Sequence, residues 1–181
     1  MRVIAGELRS RRLKGVPGLA TRPTPDRLRE TLFDILAARI EGATFLDAYA
    51  GSGAVGIEAL SRGARHAWFL ERNRAALAVL RENLEVLGLA TRATVIAGPV
   101  MQSLARCAAD LVFLDPPYDL DREYAPALAA LAETSPHVVI VQHSVRCSLE
   151  ESYGSLSRLR LVRQGDNVLS FFGAGSRDEA A

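Results

Sequence analysis

From residue 43 onward, short apolar runs alternate with longer stretches in which apolar residues recur every three or four positions. The runs predict buried strands, and the longer stretches predict amphipathic helices. The predicted strands cover 44–47, 67–71, 93–96, 111–115 and 138–142, and the predicted helices cover 54–61, 74–87 and 122–131. Because parallel strands need crossover connections, this alternation predicts an α/β fold whose parallel sheet has helices on both faces.

The chain ends in a different pattern. Two strands, 156–162 and 167–172, flank Gly165-Asp166 and predict a hairpin. A parallel sheet that finishes in a hairpin has an antiparallel strand at its edge. A length of 181 residues suits one compact unit. We divide it into a basic N-terminal hairpin and helix (1–42), an α/β domain (43–175) and a disordered tail (176–181).

The first 42 residues differ from the rest in charge. Residues 3–7 and 11–13 predict a small hairpin, and Thr24 is placed to cap a helix over about 25–40. Residues 1–30 carry a net charge of +5, although the whole chain carries only +1. This asymmetry predicts an arm that binds a polyanion, and the alternative is a solvated basic terminus. The basic residues of the arm are Arg2, Arg9, Arg11, Arg12, Lys14, Arg22, Arg27 and Arg29.

A glycine-rich loop stands between the first predicted strand of the α/β domain and the helix after it. Gly51, Gly53 and Gly56 match the fingerprint of nucleotide-binding turns, in which the backbone approaches a ligand closely. Glu71 ends the next strand, where a carboxylate can accept both hydroxyls of a ribose. Asp47 precedes the loop, where it can meet the ammonium of S-adenosylmethionine but would repel a pyrophosphate. The loop therefore predicts a ribose-bearing cofactor and favours the methyl donor, and the alternative is a turn that only packs helix against strand.

Asp115-Pro116-Pro117-Tyr118 follows the fourth predicted strand. The exocyclic amine of a nucleic-acid base is a poor nucleophile, because its lone pair is delocalised into the ring. Hydrogen bonds to the Asp115 carboxylate and the Pro116 carbonyl would align this amine with a donor methyl group, and the prolines would keep the carbonyl aimed. Tyr118 offers a face for stacking of a flipped base. The tetrapeptide therefore predicts methylation of a base amine, with either Asp115 or water accepting the released proton.

With these motifs, the chain resembles the RsmD family, bacterial methyltransferases of guanine N2 in 16S ribosomal RNA. The resemblance covers residues 1–172. It rests on the segments 2–13, 22–33, 46–63 and 115–118. It implies a Rossmann-like, class I methyltransferase fold with a seven-stranded, mostly parallel sheet and an antiparallel C-terminal strand. It also implies S-adenosylmethionine as cofactor, and guanine 966 of 16S RNA, in the small ribosomal subunit or its assembly intermediate, as target.

The motifs and the resemblance together predict the site residues. The predicted catalytic residues are Asp115, Pro116 and Tyr118. The predicted cofactor-binding residues are Asp47, Ala50, Gly51, Ser52, Gly53, Glu71, Arg72 and Val100. The predicted RNA-binding residues are the eight basic residues of the arm and Thr24. One departure concerns the adenine pocket: relatives often have a polar residue after the third strand, whereas this chain has 97–100 as Ala-Gly-Pro-Val. We therefore expect backbone groups to contact the adenine, with Val100 against the ring.

Composition and spacing argue against several other classes of protein. No apolar run is long enough to span a bilayer and the start lacks the pattern of a signal peptide, so we expect a cytoplasmic protein without membrane contact. Cys107 and Cys147 do not have the spacing of metal ligands, and we expect no metal. Three alternatives stay open: a DNA adenine or cytosine methyltransferase, a nicotinamide oxidoreductase, and a non-catalytic RNA-binding assembly factor. The oxidoreductase leaves the tetrapeptide without a role.

Overall fold

A computed structural model describes residues 1–17 and 25–174, which form an α/β fold. The strands are β1 (Thr44–Ala48), β2 (His66–Glu71), β3 (Ala93–Ala97), β4 (Leu111–Leu114), β5 (Val138–Ser144), β6 (Ser152–Tyr153), β7 (Leu156–Gln164) and β8 (Asn167–Gly173). The helices are α1 (Asp26–Ile35), α2 (Ala37–Ile40), α3 (Ala54–Ser61), α4 (Arg74–Val86), α5 (Val100–Ser103) and α6 (Tyr124–Ala132). Short 3-10 helices lie at Ala90–Arg92, Leu104–Arg106 and Tyr118–Glu123.

The eight described strands form one sheet in the order β3-β2-β1-β4-β5-β8-β7-β6. Strands β1 to β5 pair in parallel, whereas β8 is antiparallel to β5, β7 to β8 and β6 to β7. The mostly parallel sheet with antiparallel C-terminal strands is therefore confirmed. The expected number of seven strands was wrong for the described residues, because β6 has only two residues and leaves no periodic signal in the sequence.

Helix boundaries differ from the predicted ones where the chain makes tighter turns. The helix expected over 25–40 begins at Asp26 and is divided at Leu36, where Arg39 donates its backbone N–H to the Leu36 carbonyl at 2.8 Å. The predicted cap, Thr24, lies outside the described residues. Helix α6 begins at Tyr124 rather than at residue 122, because a 3-10 helix precedes it.

The N-terminal segment packs against the same core as the sheet. The hairpin expected from 3–7 and 11–13 forms only in part: Arg2 and Arg12 make an isolated antiparallel bridge, and the backbone N–H groups of Val3 and Leu13 donate to the carbonyls of Arg11 and Met1, each at 3.0 Å. Residues 4–8 do not continue the pairing, because the backbone N–H groups of Ile4, Ala5 and Leu8 donate to side chains of α3 instead. Val3 and Leu13 are buried in one apolar cluster with Phe45 of β1. The predicted domain boundary at residue 42 therefore falls within a shared core, and the predicted tail, 176–181, lies outside the described residues.

The described residues show neither a membrane-spanning helix nor a metal cluster. Among residues 1–17 and 25–174, no helix combines the length and apolar character needed to cross a bilayer. The same ranges contain no group of three or more His, Cys, Asp or Glu side chains arranged to hold a metal ion.

Candidate functional site

Three carboxylate residues lie at the carboxyl edge of the parallel sheet. Strand β1 has β2 on one side and β4 on the other, and Asp47 is level with Phe69 and Phe113 of these neighbours. Glu71 is the last residue of β2, and Asp115 directly follows β4. This edge is where open α/β sheets bind ligands. The structure thus brings together the two acidic residues predicted to bind the cofactor and the first residue of the tetrapeptide.

Asp47 is buried in the middle of this edge. Its side chain is 2% exposed, and its Oδ2 accepts the backbone N–H of Gly56 at 2.8 Å. Burial raises the pKa of Asp47 well above its usual range, the charges of Asp115 and Glu71 raise it further, and the Gly56 N–H opposes the rise. Negative charge gathered in this way favours a cationic ligand and repels the pyrophosphate of a dinucleotide.

The Glu71 carboxylate is held by three backbone N–H groups. Oε2 accepts from Gly51 at 2.7 Å, and Oε1 accepts from Arg72 at 2.8 Å and from Asn73 at 2.7 Å. A carboxylate has about four acceptor positions, so the orientation of the group is fixed while capacity remains for a hydroxyl donor. This geometry fits recognition of a ribose.

The three glycines of the loop have different surroundings. Gly51 has φ +56° and a Cβ built on it would stand in open space, so it leaves room for a ligand beside Glu71. A Cβ on Gly53 would lie 2.3 Å from Leu80 Cδ1, and one on Gly56 would lie 2.3 Å from the Phe69 ring. These two glycines allow α3 to pack closely against its neighbours. Of the three, only Gly51 has open space where a side chain would stand.

The other predicted cofactor residues lie around this loop. Ala50 is buried and its N–H donates to the Leu70 carbonyl at 2.9 Å, whereas Ser52 is half-buried and Arg72 is exposed. Val100 is the first residue of α5 and is buried in the apolar cluster that contains Leu70. The predicted residues of the loop and those at the strand ends therefore lie at one edge of the sheet. Val100, by contrast, has little exposed surface with which to contact an adenine.

The tetrapeptide forms the wall of the site after β4. Asp115 is half-buried and Pro116 is buried, and Pro117 directly precedes the 3-10 helix Tyr118–Glu123. The side chain of Tyr118 lies outside what the structure describes. Tyr49, in the loop after β1, makes a hydroxyl hydrogen bond to Glu123. This contact joins the glycine-rich loop to the segment after β4. A single tyrosine in a loop gives no signal of such a contact in the sequence.

Most described basic residues of the N-terminal arm are exposed. This group comprises Arg2, Arg9, Arg11, Arg12, Lys14 and Arg27. Arg22 and Thr24 lie outside the described residues. Arg29 is 0% exposed, and its Nη2 donates to the Arg2 carbonyl at 2.7 Å and to Asp26 Oδ1 at 3.0 Å. The prediction that Arg29 binds RNA was therefore wrong, because its guanidinium is used inside the protein to hold the arm.

Helix α3 anchors the arm through Glu58 and Ser61. The Glu58 carboxylate accepts the backbone N–H groups of Ile4 at 2.8 Å and Ala5 at 3.0 Å. Ser61 Oγ donates to the Ala5 carbonyl at 2.6 Å and accepts from Leu8 N–H at 3.0 Å. From the sequence, residues 58–63 were recognised only as part of a family motif. The structure shows that the polar side chains of this segment fix the path of the arm.

A family model described as Conserved hypothetical protein 95 matches residues 1–173. The chain belongs to this family. Relatives of the chain include ribosomal RNA small subunit methyltransferase D, so the resemblance to the RsmD family is confirmed.

Individual relatives support the same membership. YlbH of Bacillus subtilis is 35% identical over 175 residues, which cover 91% of this chain and 94% of that protein. Ribosomal RNA small subunit methyltransferase D of Escherichia coli is 44% identical over 120 residues, which cover 65% of this chain and 60% of that protein. Among solved structures, yhhF of Escherichia coli has a TM-score of 0.84 at 33% identity, with 97% of this chain and 99% of that chain covered. The fold of the family is thus the fold seen here.

Proposed function

We propose that this protein transfers a methyl group from S-adenosylmethionine to the N2 amine of a guanine in 16S ribosomal RNA, with guanine 966 of the small subunit as its target. The observation that carries the chemistry is the gathering of Asp47, Glu71 and Asp115 at one sheet edge beside an open glycine. The small-subunit assignment draws on the name of the Escherichia coli relative, which this chain matches over 60% of that protein's length.

The cofactor fits the residues present at the edge. Bound there, S-adenosylmethionine supplies an electrophilic methyl group on a positively charged sulfur. In this proposal Asp47 receives the ammonium of its amino-acid part and Glu71 receives a ribose hydroxyl. Gly51, Ser52 and Arg72 lie beside it, whereas the buried Ala50 and Gly53 keep the loop in place. The small exposed part of Val100 borders the adenine. The acidic edge is the reason for preferring this cofactor to a nicotinamide dinucleotide, whose pyrophosphate the same charges would repel.

The tetrapeptide positions the amine. Asp115 accepts one N–H of the guanine amine and the Pro116 carbonyl accepts the other, so the nitrogen lone pair is directed at the donor methyl. The Pro116 carbonyl is held in place, because Pro116 is buried and Pro117 restricts the ψ angle of the residue before it. Tyr118 stacks on the flipped base. The exposed basic residues of the arm bind RNA phosphates, which orient the substrate without specifying a base.

The test is methyl transfer from labelled S-adenosylmethionine to unmodified small-subunit particles, naked 16S RNA and duplex DNA, with the product nucleosides identified by mass. N2-methylguanosine on particles supports the proposal. Methylated adenine or cytosine in DNA would mean that the pocket is assigned correctly but the substrate is not. Cofactor binding without any transfer would favour the non-catalytic assembly factor.

A variant separates catalysis from binding. Asp115→Ala removes one of the two acceptors for the amine, and we expect transfer to fall about 100-fold or more, by analogy with the loss of one hydrogen-bonding group at a transition state. Cofactor affinity should stay close to that of the unaltered protein. Asp121→Ala, an exposed residue of the following 3-10 helix, is the control. Equal activities of the two variants would exclude Asp115 from catalysis.

A further inference from the structure

A buried asparagine on α4 joins the basic arm to the cofactor loop. Asn83 is 4% exposed. Its Oδ1 accepts the backbone N–H of Lys14 at 2.9 Å, and its Nδ2 donates to the Lys14 carbonyl at 3.0 Å. The same Nδ2 donates to the carbonyl of Ser52, in the glycine loop, at 3.0 Å. One side-chain amide therefore makes hydrogen bonds to both the basic arm and the glycine loop, for which we propose RNA and the cofactor as ligands.

These three contacts allow only one orientation of the amide. If the group were flipped, Nδ2 would face the Lys14 N–H and Oδ1 would face two carbonyls, so every contact would become unfavourable. Each of the two hydrogens on Nδ2 serves a different segment. Because the amide is planar and rigid, a shift of the Ser52 carbonyl changes the position of both groups that hold Lys14.

Packing alone does not explain an asparagine at this position. Its helix neighbours on the buried face are apolar, among them Leu80 and Leu84. Asparagine is a weaker helix former than leucine, and a buried amide is costly unless its hydrogen bonds are made. A second link from α4 to Lys14, the ion pair with Glu82, is exposed and does not involve the loop. Among residues 1–17 and 25–174, only the Asn83 side chain bonds to both the arm and the glycine loop.

We propose that Asn83 is a positioning residue that couples binding of the cofactor at the glycine loop to docking of the basic arm. A cofactor lying against Gly51 and Ser52 fixes the Ser52 carbonyl, and through Asn83 it fixes the backbone of Lys14. The role of the arm in RNA binding rests on the function proposed above. Because coupling between two ligands is reciprocal, RNA on the arm strengthens cofactor binding by the same factor.

Hydrogen exchange of the full chain tests the structural half of this inference without any RNA. S-adenosylhomocysteine, the demethylated product, should slow exchange of the backbone amides of residues 12–16 in the unaltered protein. Asn83→Asp keeps the size of the side chain and the acceptor for Lys14 N–H but loses both donated hydrogen bonds. In this variant the product should still bind, and the amides of 12–16 should no longer respond. Glu82→Gln, which breaks only the exposed pair, should respond like the unaltered protein.

RNA affinity measured with and without S-adenosylhomocysteine tests the functional half. Coupling of this kind is typically about fivefold or more, and we expect Asn83→Asp to bring the ratio to about one while Glu82→Gln preserves it. An unchanged ratio in Asn83→Asp overturns the inference. An absence of protection of the amides of 12–16 in the unaltered protein also overturns the inference, and this result does not depend on whether the variant folds. Protection of 12–16 without methylation of any guanine would instead overturn the proposed function and leave the coupling intact.

Discussion

Replacing Glu58 by glutamine should destabilise the protein more than a carboxylate-to-amide substitution at an exposed residue. The Glu58 side chain is 0% exposed. Its oxygens accept from Ile4 N–H at 2.8 Å, Ala5 N–H at 3.0 Å and Arg62 Nε at 2.8 Å, and they lie 3.9 Å from Nε of the buried Arg29. A glutamine offers one oxygen and one NH₂ group, so the NH₂ group must face at least one donor.

The magnitude follows from the burial of both partners. Breaking a buried ion pair by removing one partner costs about 3–5 kcal/mol. Arg29 keeps Asp26 and the Arg2 carbonyl as partners, so we expect the lower end, about 3 kcal/mol. For a chain of this length that corresponds to a fall in Tm of about 6–12 °C.

The assay is urea unfolding followed by circular dichroism, with hydrogen exchange at Ile4 and Ala5 as a local readout. Asp34→Asn is the matched control, because Asp34 pairs with the same Arg62 at 3.6 Å but is 68% exposed. Exposed pairs contribute about 0–1 kcal/mol. A loss for Glu58→Gln no larger than that of Asp34→Asn would refute the reasoning, and so would unchanged exchange at Ile4 and Ala5.

Two further predictions concern Asp47 and Gly6. Asp47→Asn should weaken cofactor binding about 10- to 100-fold, the equivalent of one charge-assisted hydrogen bond, in a calorimetric titration. In the unaltered protein, acidification should weaken binding at a pH well above the ordinary aspartate pKa of 3.8, because burial raises the pKa of Asp47; a pH-independent affinity would contradict this. Without a ligand, the raised pKa means that the contribution of Asp47 to stability is fully present below pH 3.8 and is lost as the pH rises through the raised pKa. At pH 7, Asp47→Asn should therefore have a Tm equal to or higher than that of the unaltered protein. Gly6→Ala should cost about 1–2 kcal/mol for φ +81° alone, and more because the new Cβ would lie 1.8 Å from the Ser61 carbonyl oxygen. Gly15→Ala, whose Cβ meets nothing within 4 Å, is its control in urea unfolding, and equal stabilities would contradict the prediction.

The parallel sheet was predictable because its signal is repeated. Each crossover places a strand end at the same edge, so the sequence alone predicts that Asp47 and Asp115 lie close together. The two residues of β6 carry no such repetition, and the division of the first helix at Leu36 depends on one local hydrogen bond. Elements of these kinds are set by their surroundings in the fold rather than by periodicity.

The error over Arg29 had a signal in the sequence. Arg29, Phe33, Leu36 and Ile40 are spaced four, three and four residues apart, which puts the arginine on a stripe that is buried throughout. Asn83 likewise follows Leu80 by three residues and precedes Leu87 by four, both buried. Spacing could show that these polar side chains point inward. It could not show their partners, because the carbonyl of Arg2 and that of Ser52 are brought there by other parts of the chain.

The short β6 has a consequence for association between copies of the chain. It pairs only with Ser157 and Leu156 at the start of β7, so the rest of β7 forms the edge of the described sheet. An unpaired edge is a template on which a second strand can add. Arg160 and Arg163 are exposed along this stretch, and two such edges brought together would set like charges opposite each other. We therefore expect the arginines of β7 to oppose edge-to-edge pairing of two copies on this side of the sheet.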